Sequence, residues 1–385
     1  MSMKDKFTTI VMGLVIISII AILIVFGMMF FEEINSSVET DIENFQYTQD
    51  STDTSKTTDT DIETPQIVQK DPLDELQSAS SGSSTEQTNT NVDYTNVNVN
   101  KYFYNQLNDY SKTIYKAFES NKENMKSGTY TVQLGNSFSD LLSQQNGSDL
   151  LGQYYQSAIE AYTYDNPDVF YLSPSKMYLN VETTTRGNSK TYNVFINSGN
   201  EANYLSEEFS SKQKVDEAIN QIEQVRNEIL QNRTGNTYDD IKMIHDYLVE
   251  HISYNTSLSR PYIYNIYGAM VQNLCVCEGY ARSMKYLLDS INVECTMVIG
   301  KGTNSEGITE NHAWNYVRLN NTWYAIDATW DDPQIQGGGT VPDSYKYKYF
   351  LKGSNEMNQD HTPNGQFTEG GQVFEYPTLS TSNYE

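Results

Sequence analysis

Asn311-His312-Ala313-Trp314-Asn315-Tyr316-Val317-Arg318-Leu319-Asn320-Asn321-Thr322-Trp323-Tyr324-Ala325-Ile326-Asp327-Ala328-Thr329-Trp330 reads as two strands folded about a two-residue turn. Asn320-Asn321 suits that turn, because asparagine tolerates the left-handed backbone that tight hairpins require. A two-residue turn pairs Leu319 with Thr322, and stepping outward pairs Trp314 with Asp327 and His312 with Thr329. His312 and Asp327 then share one face as diagonal neighbours, about 7–8 Å apart at the backbone, a gap that an imidazole and a carboxylate can bridge. Ala313, Val317, Leu319, Tyr324, Ile326 and Ala328 fall on the opposite, apolar face. A three-residue loop would send His312 and Asp327 to opposite faces, so the pairing depends on an even-numbered loop. The returning strand is expected to run from Thr322 to Trp330 and to stop at Asp331-Asp332-Pro333.

Working upstream, Val293 to Ile299 reads as a strand, and Cys277-Glu278-Gly279-Tyr280-Ala281 opens a helix continuing through Met284, Leu287, Leu288 and Ile291. A cysteine in a first helical turn feels unpaired backbone amides and the positive end of the helix dipole, both of which favour the nucleophilic thiolate. Alone, such a cysteine could equally be a small buried hydrophobe. Followed by a histidine and an aspartate facing each other on a hairpin, it completes a nucleophile–base–orienter arrangement.

Val276-Cys277-Glu278-Gly279-Tyr280-Ala281, Asn311-His312-Ala313-Trp314-Asn315 and Trp323 to Pro333 resemble the three motif blocks of bacterial transglutaminase-like proteins, in the same order. His245-Asp246-Tyr247-Leu248 and Tyr267-Gly268-Ala269 resemble that family's lead-in, and the likeness covers roughly Tyr238 to Phe350. The resemblance implies a papain-like α+β fold, with the Cys277 helix packed on an antiparallel sheet bearing His312 and Asp327. It also implies acyl transfer through a thioester on Cys277, with His312 as base and Asp327 as orienting carboxylate. Crosslinking to an amine, deamidation by water and peptide hydrolysis all remain open. The implied partner is a protein or peptide presenting Gln, and in crosslinking Lys, side chains; no cofactor or metal is required. The Cys277 amide would supply one oxyanion donor, with Tyr267 or Gln272 as candidates for the second. Many relatives have glycine two residues before the nucleophile, where this chain has Cys275.

The rest of the 385 residues divides by composition. Ile10 to Phe31 is almost unbroken apolar sequence, roughly 33 Å as a helix and enough to cross a hydrocarbon core of about 30 Å. Lys4 and Lys6 precede it and Glu32 and Glu33 follow, which favours a cytoplasmic N-terminus and an outward-facing bulk. A cleaved signal peptide is the competing reading, but Met28 to Phe31 stand where a small-residue cleavage site belongs. Residues 1–31 are therefore expected to be a cytoplasmic stub and transmembrane anchor in the cell membrane. Residues 32–100 carry fifteen acidic residues against Lys56 and Lys70, more than half of the net charge of −25. With few apolar residues, this segment is expected to be an unstructured spacer. Residues 101–235 are an N-terminal α+β region without a cluster suggesting chemistry, its tyrosines (Tyr154, Tyr155, Tyr162 and Tyr164 among them) assigned to packing. Its helices are expected at Tyr102–Phe118, Leu150–Tyr164 and Val215–Gln231, with strands at Thr129–Leu134, Met177–Thr184 and Tyr192–Asn197. Residues 236–385 form the catalytic domain, entered by a helix at Thr237 with a Thr237/Asp240 capping box and an Ile241, Ile244, Leu248, Ile252 face.

The acidic balance offers no basic stripe for phosphate backbones, so nucleic acid is not a partner. His245 and His251 read as surface or rim residues. A zinc site from Cys275, Cys277, Cys295 and His312 would need an uncommon C-x-C spacing. A Cys275–Cys295 bridge with Cys277 free is geometrically open, and a non-catalytic surface module retaining this fold is the alternative to an enzyme.

Overall fold

The first helix, α1 (Asp109–Met125), begins seven residues later than the apolar pattern from Tyr102 suggests. Asn108 stops it from extending backwards, because its side chain accepts the Ser111 N–H at 2.9 Å and caps the first turn. The preceding Phe103 and Tyr104 amides donate instead to the buried Asp165 carboxylate, at 3.0 and 2.8 Å, at the end of α2 (Gly147–Asp165). The computed structural model describes residues 41–46, 92–255, 260–332, 343–364, 366–367 and 373–385. The apolar run Ile10–Phe31 lies outside them; among the described residues no helix is long and apolar enough to cross a membrane.

Four strands form the N-terminal sheet in the order β1-β3-β4-β2: β1 (Asp41–Gln46), β2 (Val132–Gly135), β3 (Tyr178–Arg186) and β4 (Ser189–Asn197). β3 and β4 are the expected hairpin, turning at Gly187 with a positive φ of 62°. β1 corrects one expectation, since it comes from the segment read as an unstructured spacer. The free edge of β3 explains it: six extended residues pair antiparallel there, satisfying backbone groups that an edge strand leaves open. Beneath the sheet, Ile114, Phe118, Leu151, Tyr155, Tyr162, Leu179 and Val194 are fully buried, which is the packing role expected of the tyrosines.

Helices α3 (Lys212–Leu230) and α4 (Thr237–His251) follow. The cap of α4 is Asn236 rather than Thr237: its side chain accepts the Asp239 N–H. Asp240 takes no part in a capping box and accepts instead from the Thr234 and Gly235 amides and Arg233. After β5 (Ser253–Tyr254) and a short α5 (Ile266–Met270), β6 (Leu274–Cys275) pairs in parallel with β5 and leads into α6 (Cys277–Asp289). The second sheet has the order β10-β7-β8-β9, from β7 (Cys295–Thr303), β8 (Thr309–Leu319), β9 (Thr322–Ile326) and β10 (His361–Pro363). Chain order and sheet position agree except for β10, which returns to the outer edge of β7.

The two regions share a core. Ala281, Met297 and Ala313 from the second sheet and its helix belong to the cluster built by Phe103, Tyr115 and Phe118. Arg282 of α6 donates to the Thr163 carbonyl at 2.7 Å and lies over the Tyr164 ring. The C-terminal tail straps both regions: Tyr102 and Gln106 donate to the Glu375 carbonyl, and the Ile299 amide donates to the Tyr376 hydroxyl.

Asp165 ties this arrangement together, since it also accepts from the Tyr115 hydroxyl. Asp165→Ala strands two buried amides and is expected to cost on the order of 2–4 kcal/mol, read as a lowered midpoint in denaturant unfolding, with Asp165→Asn losing less.

Candidate active site

The hairpin forms in the expected register. Asn320 and Asn321 have φ of 52° and 62°, the double left-handed turn that a two-residue loop needs, and Leu319 pairs with Thr322. The ladder ends at Asn315–Ile326, so β9 is four residues shorter than expected. Asp327 is the cause. Its Oδ1 accepts the Thr329 and Trp330 amides at 3.0 and 3.2 Å, folding the chain into a turn where further strand was expected. The two sheet faces are both covered: Val317, Leu319, Ile326 and Ala328 pack toward α4 and α6, whereas Trp314, Tyr316 and Ala325 pack toward Tyr349, Met357 and Leu379.

His312 lies between indoles, its ring 5.0 Å from that of Trp330 and 5.8 Å from that of Trp314, both near parallel. Two glycines on β7 leave room for this stack. A Cβ on Gly302 would lie 2.7 Å from Trp330 Cζ2 and 3.3 Å from His312 Cδ2; one on Gly300 would lie 2.7 Å from Trp314 Cη2.

Cys277 occupies the first turn of α6, as expected. The capping residue is Val276, whose side chain cannot accept a hydrogen bond, so the first-turn amides have no capping partner there. The helix is held on the sheet by Asn315 Nδ2 donating to the Ala281 carbonyl at 2.9 Å and by the Lys285 ammonium donating to the Cys295 carbonyl at 3.0 Å. Cys275, the departure from the family pattern, is buried under this turn against Gly279, where a Cβ would meet the Cys275 sulfur at 2.8 Å. The three cysteines are free, and Cys277 alone among them is not fully buried. Burial, and then the neighbouring Cys277, raise the Cys275 pKa well above the ordinary thiol value; burial likewise raises that of Cys295.

His312 joins the other two groups. Its Nε2 is 2.7 Å from Asp327 Oδ2, and Cys277 lies close enough to act on the ring electrostatically. Burial by itself would lower the imidazole pKa. The Asp327 charge and hydrogen bond, with Cys277 beside the ring, reverse this and push it up to about 10. Burial likewise works against the Asp327 carboxylate, yet His312 and His361 hold it well below the usual range. All three sequence-predicted site residues therefore meet.

Other assignments change. His245, expected at the surface, is completely buried: its Nε2 is 3.1 Å from Asp331 Oδ2 and its Nδ1 3.2 Å from Asp246 Oδ1. Asp331 lies four residues past Asp327, a partner too distant in sequence from His245 to be read by pattern. His251 is exposed, as expected. Tyr267 and Gln272 bond to each other, and Tyr267 packs against Phe170 and Phe209. Tyr254 is instead the phenol interacting with Cys277; burial first, then the Cys277 charge, raises its pKa. His361 was not singled out at all, and its Nε2 is 3.0 Å from the same Asp327 oxygen that His312 uses. Neither had a motif around it to mark it.

The zinc set weighed as an alternative, Cys275, Cys277, Cys295 and His312, does not converge among the described residues. Among the described residues, His312, Asp327 and His361 are the group placed to hold an ion, with ligand atoms within 4.8 Å of one another. Both imidazoles already meet Asp327 Oδ2 there.

Gly302→Ala is expected to drive Trp330 and His312 apart, destabilising by about 1–3 kcal/mol and slowing alkylation of Cys277, measured by intact mass after brief iodoacetamide treatment. The pH dependence follows from the two shifts. The raised His312 contributes stability that is complete below its ordinary value of 6.5 and is lost as pH rises through about 10. The lowered Asp327 contributes stability present above 3.8 and lost as pH falls into strong acid. Thermal melts of wild type and His312→Gln are therefore expected to differ most below about pH 6.5, the gap shrinking steadily above that and closing as pH reaches about 10.

Residues 223–328 match the family model of the transglutaminase-like superfamily, a span containing Cys277, His312 and Asp327. No curated protein matches the sequence. A solved structure of a TGase is 13% identical at a TM-score of 0.28, covering 44% of this chain and 48% of that one. A proposed cysteine protease from Cytophaga hutchinsonii is 9% identical at a TM-score of 0.24, covering 41% of this chain and 68% of that one. This chain thus spans about half the length of the TGase, and overlaps this partial do not bear on its activity. The family match does identify residues 223–328 as a domain of the transglutaminase-like superfamily.

Proposed function

We propose that this chain is a thiol acyltransferase with Cys277 as nucleophile, His312 as base and Asp327 as orienting carboxylate. One observation carries the reading: a single buried imidazole bonds Asp327 through Nε2 at 2.7 Å and lies within electrostatic reach of Cys277 at the start of α6. Asp327 fixes the tautomer and balances the positive charge that the ring acquires on taking the thiol proton. Cys277 Sγ then bonds the carbon of a glutamine carboxamide. The developing oxyanion meets the uncapped amides at the start of α6. As the C–N bond breaks, His312 returns its proton and ammonia departs, leaving a thioester. A lysine amine attacking that thioester gives an isopeptide bond; water gives the glutamate. A backbone amide in place of the carboxamide would make the same steps a peptide cleavage.

The N-terminal sequence supports an anchored, outward-facing enzyme. In this reading the Ile10–Phe31 run spans the cell membrane and the acidic segment after it spaces the catalytic domain from the lipid. Cell-surface or cell-wall proteins would then supply the glutamine and amine.

The test is intact-mass analysis of the full-length protein after brief exposure to limiting iodoacetamide, beside Cys277→Ala and His312→Ala. Modification confined to Cys277 is expected, slowed on the order of a hundredfold without His312. A glutamine peptide incubated with and without a primary amine then distinguishes adduct, acid and cleaved product. If Cys277 reacts no faster than a free cysteine, the catalytic assignment falls and a non-catalytic surface module is the reading that stands.

A further inference from the structure

We propose that His361 is a doubly protonated positioning residue that holds Asp327 from beside His312 and sets the pH range over which Cys277 reacts. The proposal rests on the catalytic reading above, but its residue lies outside the matched span of 223–328. β10 carries it in along the edge of β7, pairing His361 with Gly302, the glycine that makes room for His312 and Trp330.

The hydrogen-bond inventory assigns its charge. His361 is 1% exposed, with Nε2 3.0 Å from Asp327 Oδ2 and Nδ1 2.7 Å from Asp360 Oδ1. An ionised carboxylate only accepts, so each ring nitrogen must bring its own proton. Neither carboxylate is free to donate in return. Asp327 takes the His312 ring and two backbone amides, and Asp360 Oδ2 takes the Tyr349 hydroxyl at 2.7 Å. Aromatic rings enclose the imidazole, with centroids at 4.4 Å for Trp330, 5.0 Å for Trp314 and 5.1 Å for Tyr349. Such rings favour a cation over a neutral group. The titratable groups facing His361 are therefore Asp327, Asp360, Tyr349 and His312, whose ring is 5.4 Å away.

Once His312 has taken the Cys277 proton, charges alternate from group to group: sulfur anion, His312 imidazolium, Asp327, His361 imidazolium and Asp360. The second cation has a predictable effect. Without it, Asp327 and Asp360 act on the catalytic pair uncompensated, so forming a thiolate at Cys277 becomes harder. The remaining anions also hold the His312 proton more firmly.

The experiment measures iodoacetamide alkylation of Cys277 against pH in full-length wild type and His361→Gln, which keeps an N–H donor without the charge. The acid limb of the profile is expected to move to higher pH by about half a unit or more. A rate lowered equally at every pH, with the limb unmoved, would reduce His361 to a structural role and overturn the proposal. Should His361→Gln fail to fold, ¹⁵N-histidine NMR of the wild type decides, since the chain has four histidines. The His361 signal, told apart from that of His245 (also held between two carboxylates) by the spectrum of His245→Gln, must keep directly bonded protons on both ring nitrogens throughout the pH range in which Cys277 reacts. If it loses one of them within that range, the proposal is overturned. The two readings fail separately: an unreactive Cys277 in wild type removes the catalytic assignment, whereas a reactive Cys277 with an unmoved limb removes only the role of His361.

Discussion

The Asp327 carboxylate divides its two oxygens between building the chain and charging the site. Oδ1 receives the Thr329 and Trp330 amides and so ends β9 in a turn. Oδ2 receives two imidazoles, one from the neighbouring strand and one from the far edge of the sheet. Removing this group would leave a turn without its closing acceptor and two buried histidines facing each other without a counter-charge. Local geometry and site electrostatics thus rest on one side chain that is almost wholly buried. Burying a carboxylate is unfavourable unless it is paired and hydrogen-bonded, and Asp327 is both.

The surroundings of Asp327 keep that arrangement dry and rigid. Trp314 and Trp330 flank His312, and the glycines at 300 and 302 let the indoles approach β7 more closely than any side chain there would allow. The turn after Asp327 is braced from the other side. Asp331 accepts the Tyr349 amide and meets His245 on α4, while the Asp327 amide donates to the Tyr349 carbonyl. Excluding water from these contacts strengthens each of them, because fewer solvent dipoles screen the charges. The same exclusion makes the cluster intolerant of partial loss, since a charge left unpaired there has nothing to replace its partner.

The N-terminal region is continuous with this assembly. Its core takes in Ala281, Met297 and Ala313, its helix α2 receives Arg282 from the Cys277 helix, and the C-terminal tail binds across both parts. It contributes no residue to the series of groups from Cys277 to Asp360. Its effect is on position: α6 is fixed between the second sheet and the N-terminal helices, which sets where the first-turn amides and the thiol lie.

The sequence by itself determined the hairpin register, the shared site of His312 and Asp327, and the placement of Cys277 at a helix start. Each of these follows from interactions within a few residues: a two-residue asparagine turn, a period of two along a strand, a cysteine opening an apolar-periodic helix. Where pattern competed with a specific side-chain bond, the bond prevailed. Asn108 delays α1, Asn236 rather than Thr237 caps α4, and Asp327 cuts β9 short. Only the tertiary structure decided what lies behind the site. His361 reaches Asp327 across 34 residues and His245 reaches Asp331 across 86, separations over which no local period carries information. Their partners are chosen by the return of β10 to the edge of β7 and by the packing of α4 against the sheet. Those placements come from burying whole faces together, and a chain read residue by residue does not reveal which distant surfaces will meet.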